Sequence, residues 1–254
     1  PEQLTYGAWQ FNEPQSAHGI GYEFSAQKTT PVKGHWAARV QAALYGKFYW
    51  DAHAYDDLVA RAEAGPVWRD ARQEIYAAPF YEQRWYGTEP FSRQTGGSIH
   101  YSRTLSPNWQ MYAAWQSGYK QHNERTFLNG VSHTGSLTLL YRTSPQQYFV
   151  MGIGGGQENA KDLSDAYRKS SLHGGWTRHW GNSRAFATSL NISVQRRNYR
   201  GPDIFNIRRR DTEYFTRLAL SHNRLSWKGF TLNALVTYQF GGHLLEGSSH
   251  YVKG

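Results

Sequence analysis

Hydrophobic and polar residues alternate with a period of two along most of the chain. In residues 230–240, one set of positions holds Phe, Leu, Ala, Val, Tyr and Phe, and the other set is mostly polar. Residues 20–27, 36–45, 109–116 and 186–195 repeat this pattern. Side chains of a β-strand point alternately to its two faces, so each segment is predicted to be a strand with one apolar and one polar face.

The length of these segments indicates the kind of β-structure. Strands in soluble sandwiches are usually about five or six residues long. A strand that crosses a bilayer at a tilt needs about 9–11 residues. Several alternating segments reach ten residues or more, as in residues 230–240, which favours transmembrane strands. The alternation is weakest in residues 51–78, where the run DDLVARAEA (56–64) has some helix propensity, but the spacing of Leu58, Ala60 and Ala62 favours a strand.

Connections between the segments alternate in length. Short turns are predicted at 106–108, 143–145, 181–182 and 227–229, and longer loops at about 82–93, 120–131, 157–167, 197–211 and 241–250. Tight periplasmic turns and long external loops are typical of outer-membrane barrels. We therefore predict an all-β fold, a transmembrane antiparallel up-and-down β-barrel of about 14 strands in the outer membrane of a Gram-negative bacterium. The first strand would cover residues 3–11, and the last would begin near Tyr251 and be truncated at Gly254.

Composition agrees with a barrel. Aromatic residues make up 16% of the chain, while all hydrophobic residues make up only 39%. Aromatic girdles at both interfaces and a polar lumen produce this balance. The sequence has no apolar run of about 18 residues, so no transmembrane helix is expected. The absence of cysteine fits passage through the periplasm. We expect residues 1–254 to form a single barrel domain.

The formal net charge is +9. Nucleic-acid binding is not expected, because the arginines are scattered apart from Arg208, Arg209 and Arg210. A lumen or loop surface that attracts acidic cargo or lipopolysaccharide phosphates is an equally good interpretation of the positive charge.

Alternation places a set of charged residues on the lumen side of the strands. They could form a docking surface for a client protein, or they could form cross-strand ion pairs that hold the barrel wall. These residues are Arg39, Lys47, Arg61, Glu63, Arg72, Glu74 and Arg217. A second set, Arg208, Arg209, Arg210 and Asp211, is predicted at the end of a long external loop, where it could contact lipopolysaccharide phosphates or a client, or pair locally through Asp211.

Other candidate chemistry is weak. The glycines in GIGGG (152–156) lack the following Lys-Ser or Lys-Thr of a nucleotide loop, so they are interpreted as bulge or packing positions. The 11 histidines show no metal-binding spacing, and no metal or cofactor is expected. No motif marks a nucleophile, although Ser98 and His100 are close in sequence, so enzymatic activity is not expected and no catalytic residue is assigned. A membrane-embedded hydrolase would require a Ser–His pair within hydrogen-bond reach at one rim.

Several runs resemble one family of outer-membrane barrels. They are AWQFNEPQSAHGI (8–20), GPVWRDAR (65–72), NAKDLSDAY (159–167), NYR (198–200) and RRDT (209–212). In order and spacing they are similar to the barrel domain of the surface lipoprotein assembly modulators, known as Slam. The resemblance extends over nearly the whole chain. The periplasmic tetratricopeptide-repeat domain that usually precedes a barrel of fourteen strands in this family is absent from these residues.

The resemblance implies an outer-membrane translocator that delivers a client lipoprotein or secreted effector protein across or onto the outer membrane. Periplasmic chaperones and the barrel assembly machinery are the further partners that it implies. The alternative is a passive porin or polysaccharide-export pore, since repeat-plus-barrel exporters of polysaccharide share this architecture. Inward tyrosines suited to stacking on sugars would favour that alternative, and the candidates are Tyr45, Tyr49, Tyr76 and Tyr112.

Overall fold

The computed structural model describes residues 4–6, 9–11, 19–50, 53–181, 186–202, 206–227 and 230–249. Nearly all of them lie in strands, with two single-turn 3₁₀ helices at His53–Tyr55 and Thr126–Leu128. The strands are β1 (Leu4–Tyr6), β2 (Trp9–Phe11), β3 (Gly19–Lys33), β4 (Trp36–Tyr49), β5 (Asp57–Arg69), β6 (Gln73–Tyr86), β7 (Glu89–Thr104), β8 (Trp109–His122), β9 (Gly130–Ser144), β10 (Gln147–Ala160), β11 (Tyr167–Trp180), β12 (Phe186–Tyr199), β13 (Ile207–Trp227) and β14 (Phe230–Ser249). Among the described residues, no helix is both long enough and apolar enough to span a bilayer.

Strands β3 to β14 form a closed antiparallel barrel. Each strand pairs with its neighbour in the chain, and β14 pairs with β3 to close the circle. The all-β, up-and-down barrel fold is thus confirmed. Among the described residues, twelve strands close the barrel rather than about fourteen, and residues 4–6 and 9–11 form a separate two-stranded sheet, β1–β2. The predicted strand near Tyr251 lies outside the described residues.

The two faces of the wall differ as the alternation predicts. Large apolar side chains such as Ile153 and Leu172 are exposed on the outer face. The alternate positions of each strand point into the lumen. Arg39 and Gln195 lie at such positions and are partly buried. An outer surface this apolar suits lipid, and a closed barrel satisfies the backbone hydrogen bonds that lipid cannot.

A small apolar cluster fills part of the lumen near the β5–β6 turn. Val67 and Tyr76 are 0% and 1% exposed and face each other across β5 and β6. Ala37 and Ala78 complete the cluster. The weakly alternating residues 51–78 contain strand β5, as predicted, together with the 3₁₀ turn and the turn at 70–72.

The connections define two ends of the barrel. At the end that we call the turn end, short connections cover residues 34–35, 70–72, 105–108 and 145–146. At the other end, the loop end, longer connections cover 50–56, 123–129, 161–166 and 200–206. This distribution agrees with most of the predicted short and long connections.

Two of the predicted long loops are wrong. Residues 82–93 belong mostly to β6 and β7, which are joined by Gly87 and Thr88 alone. Both residues have positive φ, 57° and 73°, as a type I′ hairpin turn requires. Residues 241–249 continue strand β14, which ends at Ser249.

Backbone hydrogen bonds link the connections at the loop end into one collar. The Gly87 amide donates to the Asp56 carbonyl, and the Lys161 amide donates to the Asn129 carbonyl. The Gly201 amide donates to the Leu163 carbonyl at 2.7 Å. The Asn123 amide donates to the carbonyl of Phe91 on β7. We call these linked segments, 53–56, 87–91, 123–129, 161–166 and 200–201, the loop collar.

Candidate functional site

A buried carboxylate, Glu63, is the centre of a polar network on the lumen wall of β4 to β8. Its residue exposure is 4%. Arg61 Nη2 donates to Glu63 Oε2 at 3.0 Å, and the Ser98 hydroxyl donates to the same oxygen at 3.2 Å. Gln41 donates to the other carboxylate oxygen. Three strands therefore supply donors to one ionised group, which is the condition under which a buried charge is tolerated.

Arg61 extends this network across the wall. Its Nη1 lies 2.9 Å from Gln116 Oε1 on β8 and 3.5 Å from Glu82 Oε2 on β6. Its guanidinium also lies over the ring of Phe80, 4.1 Å from the centroid. A planar group with five donors can make all of these contacts together. Arg61 thereby joins three strands of the wall, β5, β6 and β8.

A second ion pair lies nearer the turn end. Arg39 Nη1 is 2.8 Å from Glu74 Oε1, and its Nε donates to Thr29 Oγ1 at 2.9 Å. The same guanidinium lies 5.2 Å from the ring centroid of Tyr76, a member of the apolar cluster. We call the group of Arg39, Gln41, Arg61, Glu63, Glu74, Glu82, Ser98 and Gln116 the lumen network.

A separate polar cluster lines the lumen at the loop end of β8 to β13. The Tyr167 hydroxyl donates to Glu158 at 2.9 Å, and Lys120 lies 3.5 Å from the other oxygen of Glu158. Arg197 pairs with Glu213 at 2.9 Å. Charged groups of both signs thus meet on this rim of the lumen.

Asp211 belongs to this loop-end cluster and is 2% exposed. Arg209 Nε lies 3.1 Å from Asp211 Oδ2, and its guanidinium lies 4.0 Å from the ring centroid of Tyr199. Arg209 also donates to the Tyr199 hydroxyl. The loop-end cluster comprises Lys120, Glu158, Tyr167, Gln195, Arg197, Tyr199, Arg209, Asp211 and Glu213.

Between these clusters, the lumen wall of β9 to β12 is lined by small residues. Its lumen-facing positions hold Ser136, Thr138, Gly152, Gly154, Ser171 and Ser193. A Cβ on Gly152 would lie 2.4 Å from the ring of His173, so this glycine permits close packing, in agreement with its sequence-based interpretation. The lumen is therefore asymmetric, with charged, bulky side chains on one wall and small neutral ones on another.

A cavity of about 240 Å³ lies where the two kinds of wall meet. Arg39, Glu74 and His100 line its charged side, and Ser136 and Thr138 line its neutral side. A second cavity of about 200 Å³ opens at the turn end beside Arg72.

The structure brings four of the predicted lumen residues, Arg39, Arg61, Glu63 and Glu74, into the lumen network. Arg217 lies elsewhere on the lumen wall and pairs with Glu23 at 3.2 Å. Lys47 is exposed near the loop end of β4. Arg72 does not project from a strand wall as predicted, because it lies in the exposed turn 70–72.

The location predicted for residues 208–211 is wrong. Arg208, Arg209, Arg210 and Asp211 lie in strand β13, which begins at Ile207. Arg208 and Arg210 are exposed, whereas Asp211 is buried in the lumen. The local pairing of Asp211 that was one of the predicted interpretations is present, with Arg209 as the partner.

Sequence reasoning missed several members of the two clusters. Glu82 falls within the predicted loop 82–93, and Gln116 falls at a polar position of the predicted strand 109–116. Glu158, Arg197 and Glu213 are not among the predicted lumen residues. Their lumen orientation follows from alternation within β6, β8, β10, β12 and β13, but their partners depend on the register between strands.

Ser98 and His100 converge on Glu63 rather than on each other. The Ser98 hydroxyl donates to Glu63, and His100 Nε2 lies 3.7 Å from the same carboxylate. Among the described residues, no group of three or more His, Cys, Asp or Glu side chains is placed to hold a metal ion.

The inward tyrosines are not equivalent. Tyr45 and Tyr112 are exposed on the lumen face, while Tyr76 is buried against His100, with ring centroids 5.7 Å apart. Tyr49 is half-buried near the loop end.

Comparison with known proteins identifies the family. The family model described as "Surface lipoprotein assembly modifier" matches residues 1–241. Surface lipoprotein assembly modifier 1 of Haemophilus influenzae is 30% identical over 92% of this chain and 50% of its own length. Surface lipoprotein assembly modifier 1 of Neisseria meningitidis serogroup B is 27% identical over 94% of this chain and 50% of its own length. The hemophilin secretion modulator of Acinetobacter baumannii is 23% identical over 89% of this chain and 45% of its own length.

The chain spans about half the length of the curated relatives that it matches. Among solved structures, the Pseudomonas putida toluene transporter TodX matches with a TM-score of 0.43 and 8% identity. The match covers 93% of this chain and 91% of TodX. The match over residues 1–241 assigns this outer-membrane β-barrel to the surface lipoprotein assembly modifier family.

Proposed function

We propose that this barrel delivers a client lipoprotein or secreted protein across or onto the outer membrane. The observation that carries the proposal is the match over residues 1–241 to a family described by its action on surface lipoproteins. The name of the Acinetobacter relative extends the range of clients to a secreted protein, hemophilin. The proposal includes no cofactor. Residues 1–254 act in this proposal as one barrel domain.

The predicted client-contact residues divide by their exposure. Arg61 and Glu63 have side-chain exposures of 16% and 2%. They hold the wall together through contacts with neighbouring strands, Arg61 with Glu82 and Gln116, and Glu63 with Gln41 and Ser98. Lys47 and Arg72 are exposed, and Arg217 and Glu23 are about 40% exposed while paired. An exposed ion pair contributes little to stability, so it can exchange partners with a passing client at low cost. The accessible residues are thus the better candidates for client contact.

Passage also needs a part of the wall that can yield. Within the described residues, β14 pairs with β3 only from Thr231–Gln27 to Thr237–Gly21, whereas β13 pairs with β14 from Ile207–Ser249 to Trp227–Phe230. We call the β14–β3 pairing the seam. Fewer backbone hydrogen bonds join the strands at the seam, which makes it the proposed point of opening. Periplasmic chaperones and the barrel assembly machinery are partners in this proposal.

The test is surface display of a client. A candidate lipoprotein encoded beside this gene is co-expressed with or without the full-length gene, and intact cells are treated with protease. Client cleavage that depends on the gene is the expected result. The variant E23Q/R217Q should reduce display, because both accessible partners are removed from the wall. E89Q, at an exposed position at the loop end, is the matched control. Unchanged client exposure with and without the gene would reject the proposal.

A passive pore is the second candidate, favoured by the exposed lumen tyrosines Tyr45 and Tyr112. It predicts steady single-channel conductance in planar bilayers without a client. It also predicts that a Y45A/Y112A variant alters block by oligosaccharides while client display stays the same. Client-dependent conductance, or none at all, would favour the translocator.

A further inference from the structure

Arginines cluster on the outer face of the barrel at the loop end of β11 to β13. Arg168, Arg196, Arg208 and Arg210 are all exposed there. They alternate with lumen-facing Lys169, Arg197 and Arg209, so they point away from the lumen. We call these four residues the outer arginine patch.

The strand register brings the four positions together. Arg168 on β11 and Arg210 on β13 flank Asn198 on β12 in one cross-strand row. Arg196 lies in the next row, two residues further from the loop end, and Arg208 lies two residues beyond Arg210. Neighbouring strands are about 4.8 Å apart, so the patch is on the order of 10 Å wide.

Nearby carboxylates mostly lie on the other side of the wall. Glu158, Asp211 and Glu213 face the lumen, where they pair with Lys120, Arg209 and Arg197. Asp162 and Asp165 lie in the connection 161–166, and Glu246 on β14 is in register with Arg210. Arg196 also interacts within the protein, so position and charge, rather than free donors, define the patch.

The patch adjoins the lipid-facing band directly. The next rows on the outer face contain Leu172, Tyr214 and Ile192, which are 61%, 50% and 54% exposed. At the turn end of the same face lies Trp180, in register with Phe186. Residues 169–179, between Arg168 and Trp180, are enough for one bilayer crossing, which takes about 9–11 residues. With Trp180 at the periplasmic interface, the patch lies at the headgroup level of the outer leaflet.

We propose that the outer arginine patch binds the phosphate groups of lipopolysaccharide in the outer leaflet. Guanidinium groups bind phosphate oxygens through two parallel charge-assisted hydrogen bonds, and an array of them suits a ligand with more than one phosphate. The apolar band below the patch contacts the acyl chains of the same molecule. A protein client is less suitable as the ligand, because the patch faces lipid and lies across the wall from the lumen. This inference goes beyond the proposed function, since it needs only the outer-membrane location.

Binding of lipid A to the refolded full chain in detergent tests the inference. Bis-phosphorylated lipid A, dephosphorylated lipid A and inorganic phosphate are titrated separately, with native mass spectrometry as the readout. Wild-type protein should retain phosphorylated lipid A, and R168Q/R210Q should bind it at least about tenfold more weakly. R168K/R210K should recover part of the affinity, because lysine keeps the charge without the bidentate geometry.

R93Q is the matched control. Arg93 is exposed on the outer face of β7 near the loop end, where it donates to Gln121 at 2.7 Å and lies away from the patch. Heat-modifiable electrophoretic migration verifies that each variant is folded. Equal retention of lipid A by folded wild-type and R168Q/R210Q proteins would overturn the inference, as would equal retention of dephosphorylated lipid A. Displacement of lipid A by an equimolar amount of inorganic phosphate would overturn the lipid assignment.

Discussion

At the scale of single residues, the interior of this barrel depends on the pairing of buried charge. Glu63 accepts hydrogen bonds from Arg61, Ser98 and Gln41, each on a different strand. Loss of one partner from a buried ion pair leaves the other charge poorly solvated, which costs more than the pair itself contributes. Glu63 is therefore structurally the most sensitive of the predicted lumen residues.

The variant E63Q tests this role. We expect it to lower the free energy of unfolding by about 3 kcal/mol, because Arg61 loses its buried counter-charge. Urea unfolding in lipid vesicles, followed by tryptophan fluorescence, measures the change. The control E89Q should stay within about 0.5 kcal/mol of wild type, since Glu89 is exposed. Equal stability of E63Q and E89Q would contradict a structural role for the Glu63 carboxylate.

Asp70 links one turn to pH. Its carboxylate accepts the backbone N–H of Arg72 at 2.7 Å and the N–H of Gln73 at 2.9 Å. These bonds, that from Arg72 foremost, lower the pKa of Asp70 below its ordinary value of 3.8. A carboxyl group with a lowered folded-state pKa stabilises the fold above its unfolded-state pKa, and this stabilisation is lost as the pH falls through the folded-state value.

We therefore expect the stability difference between wild type and D70N to be full near neutral pH. The difference should shrink as the pH falls below about 3.8, the ordinary pKa of the group. Urea unfolding of both proteins across the acid range measures it. A difference that does not vary with pH would show that the ionised carboxylate contributes nothing to the turn.

At the scale of elements, close strand packing depends on a few glycines. Gly96 on β7 faces Gly118 on β8 across the lumen side of the wall. A Cβ on Gly96 would lie 2.0 Å from the Ser117 carbonyl oxygen and 2.5 Å from the Cα of Gly118. Since backbone atoms cannot yield as a flexible side chain can, a side chain here would force the two strands apart.

The neighbouring glycine supplies a matched control for this packing. We expect G96A to destabilise the barrel by about 1–3 kcal/mol through overpacking. G97A should be near neutral, because the nearest atom to its Cβ would be the Ala78 carbonyl oxygen at 4.0 Å. Urea unfolding midpoints and heat-modifiable migration distinguish the two variants. Similar midpoints for G96A and G97A would mean that β7 and β8 can separate without cost.

Much of the fold could be predicted from alternation, but element boundaries were obscured by the polar lumen. Arg39, Arg61, Glu63 and Glu74 were placed inside because parity alone decides the face of a strand. Glu82 and Arg84 look like loop residues in sequence, although they are polar because they face the lumen. The same ambiguity hid the start of β13, where residues of both faces are charged.

The ion-pair partners could not be predicted, because they depend on register. The contact between Arg61 and Glu82 depends on the turn at 70–72, which fixes how β6 pairs with β5. That turn also explains Arg72, whose position continues the alternation of β6 although the chain there is reversing direction. Local sequence identifies the face of a residue but not its opposite neighbour.

At the scale of the whole molecule, the barrel wall is unevenly secured. Within the described barrel, the seam between β14 and β3 is the shortest run of strand pairing. The small-residue wall of β9 to β12 contains none of the ion pairs of the lumen network. Delivery through a barrel that opens would therefore start at the seam.

A disulfide across the seam tests this mechanism. The chain has no cysteine, so the pair A26C/L232C, in direct register, is the only thiol pair introduced. Opposite residues of antiparallel strands lie about 4.5–5.5 Å apart at Cα, within disulfide range. We expect the oxidised variant to lose client display and to regain it on reduction. The control A42C/A62C, in register on β4 and β5, should display the client in both states. Full display by the oxidised seam variant would locate passage elsewhere.

The loop collar gives any such movement a direction. Its backbone hydrogen bonds join the segments 53–56, 87–91, 123–129, 161–166 and 200–201 into one arc along the loop end. Connections that are hydrogen-bonded in this way resist separation from one another. Displacement of one connection would be passed to its neighbours along the arc, so the arc would move as one unit. Its two ends lie on either side of β13, β14, β3 and β4. An antibody fragment that binds the arc would then restrict movement of the loop end without contacting the seam.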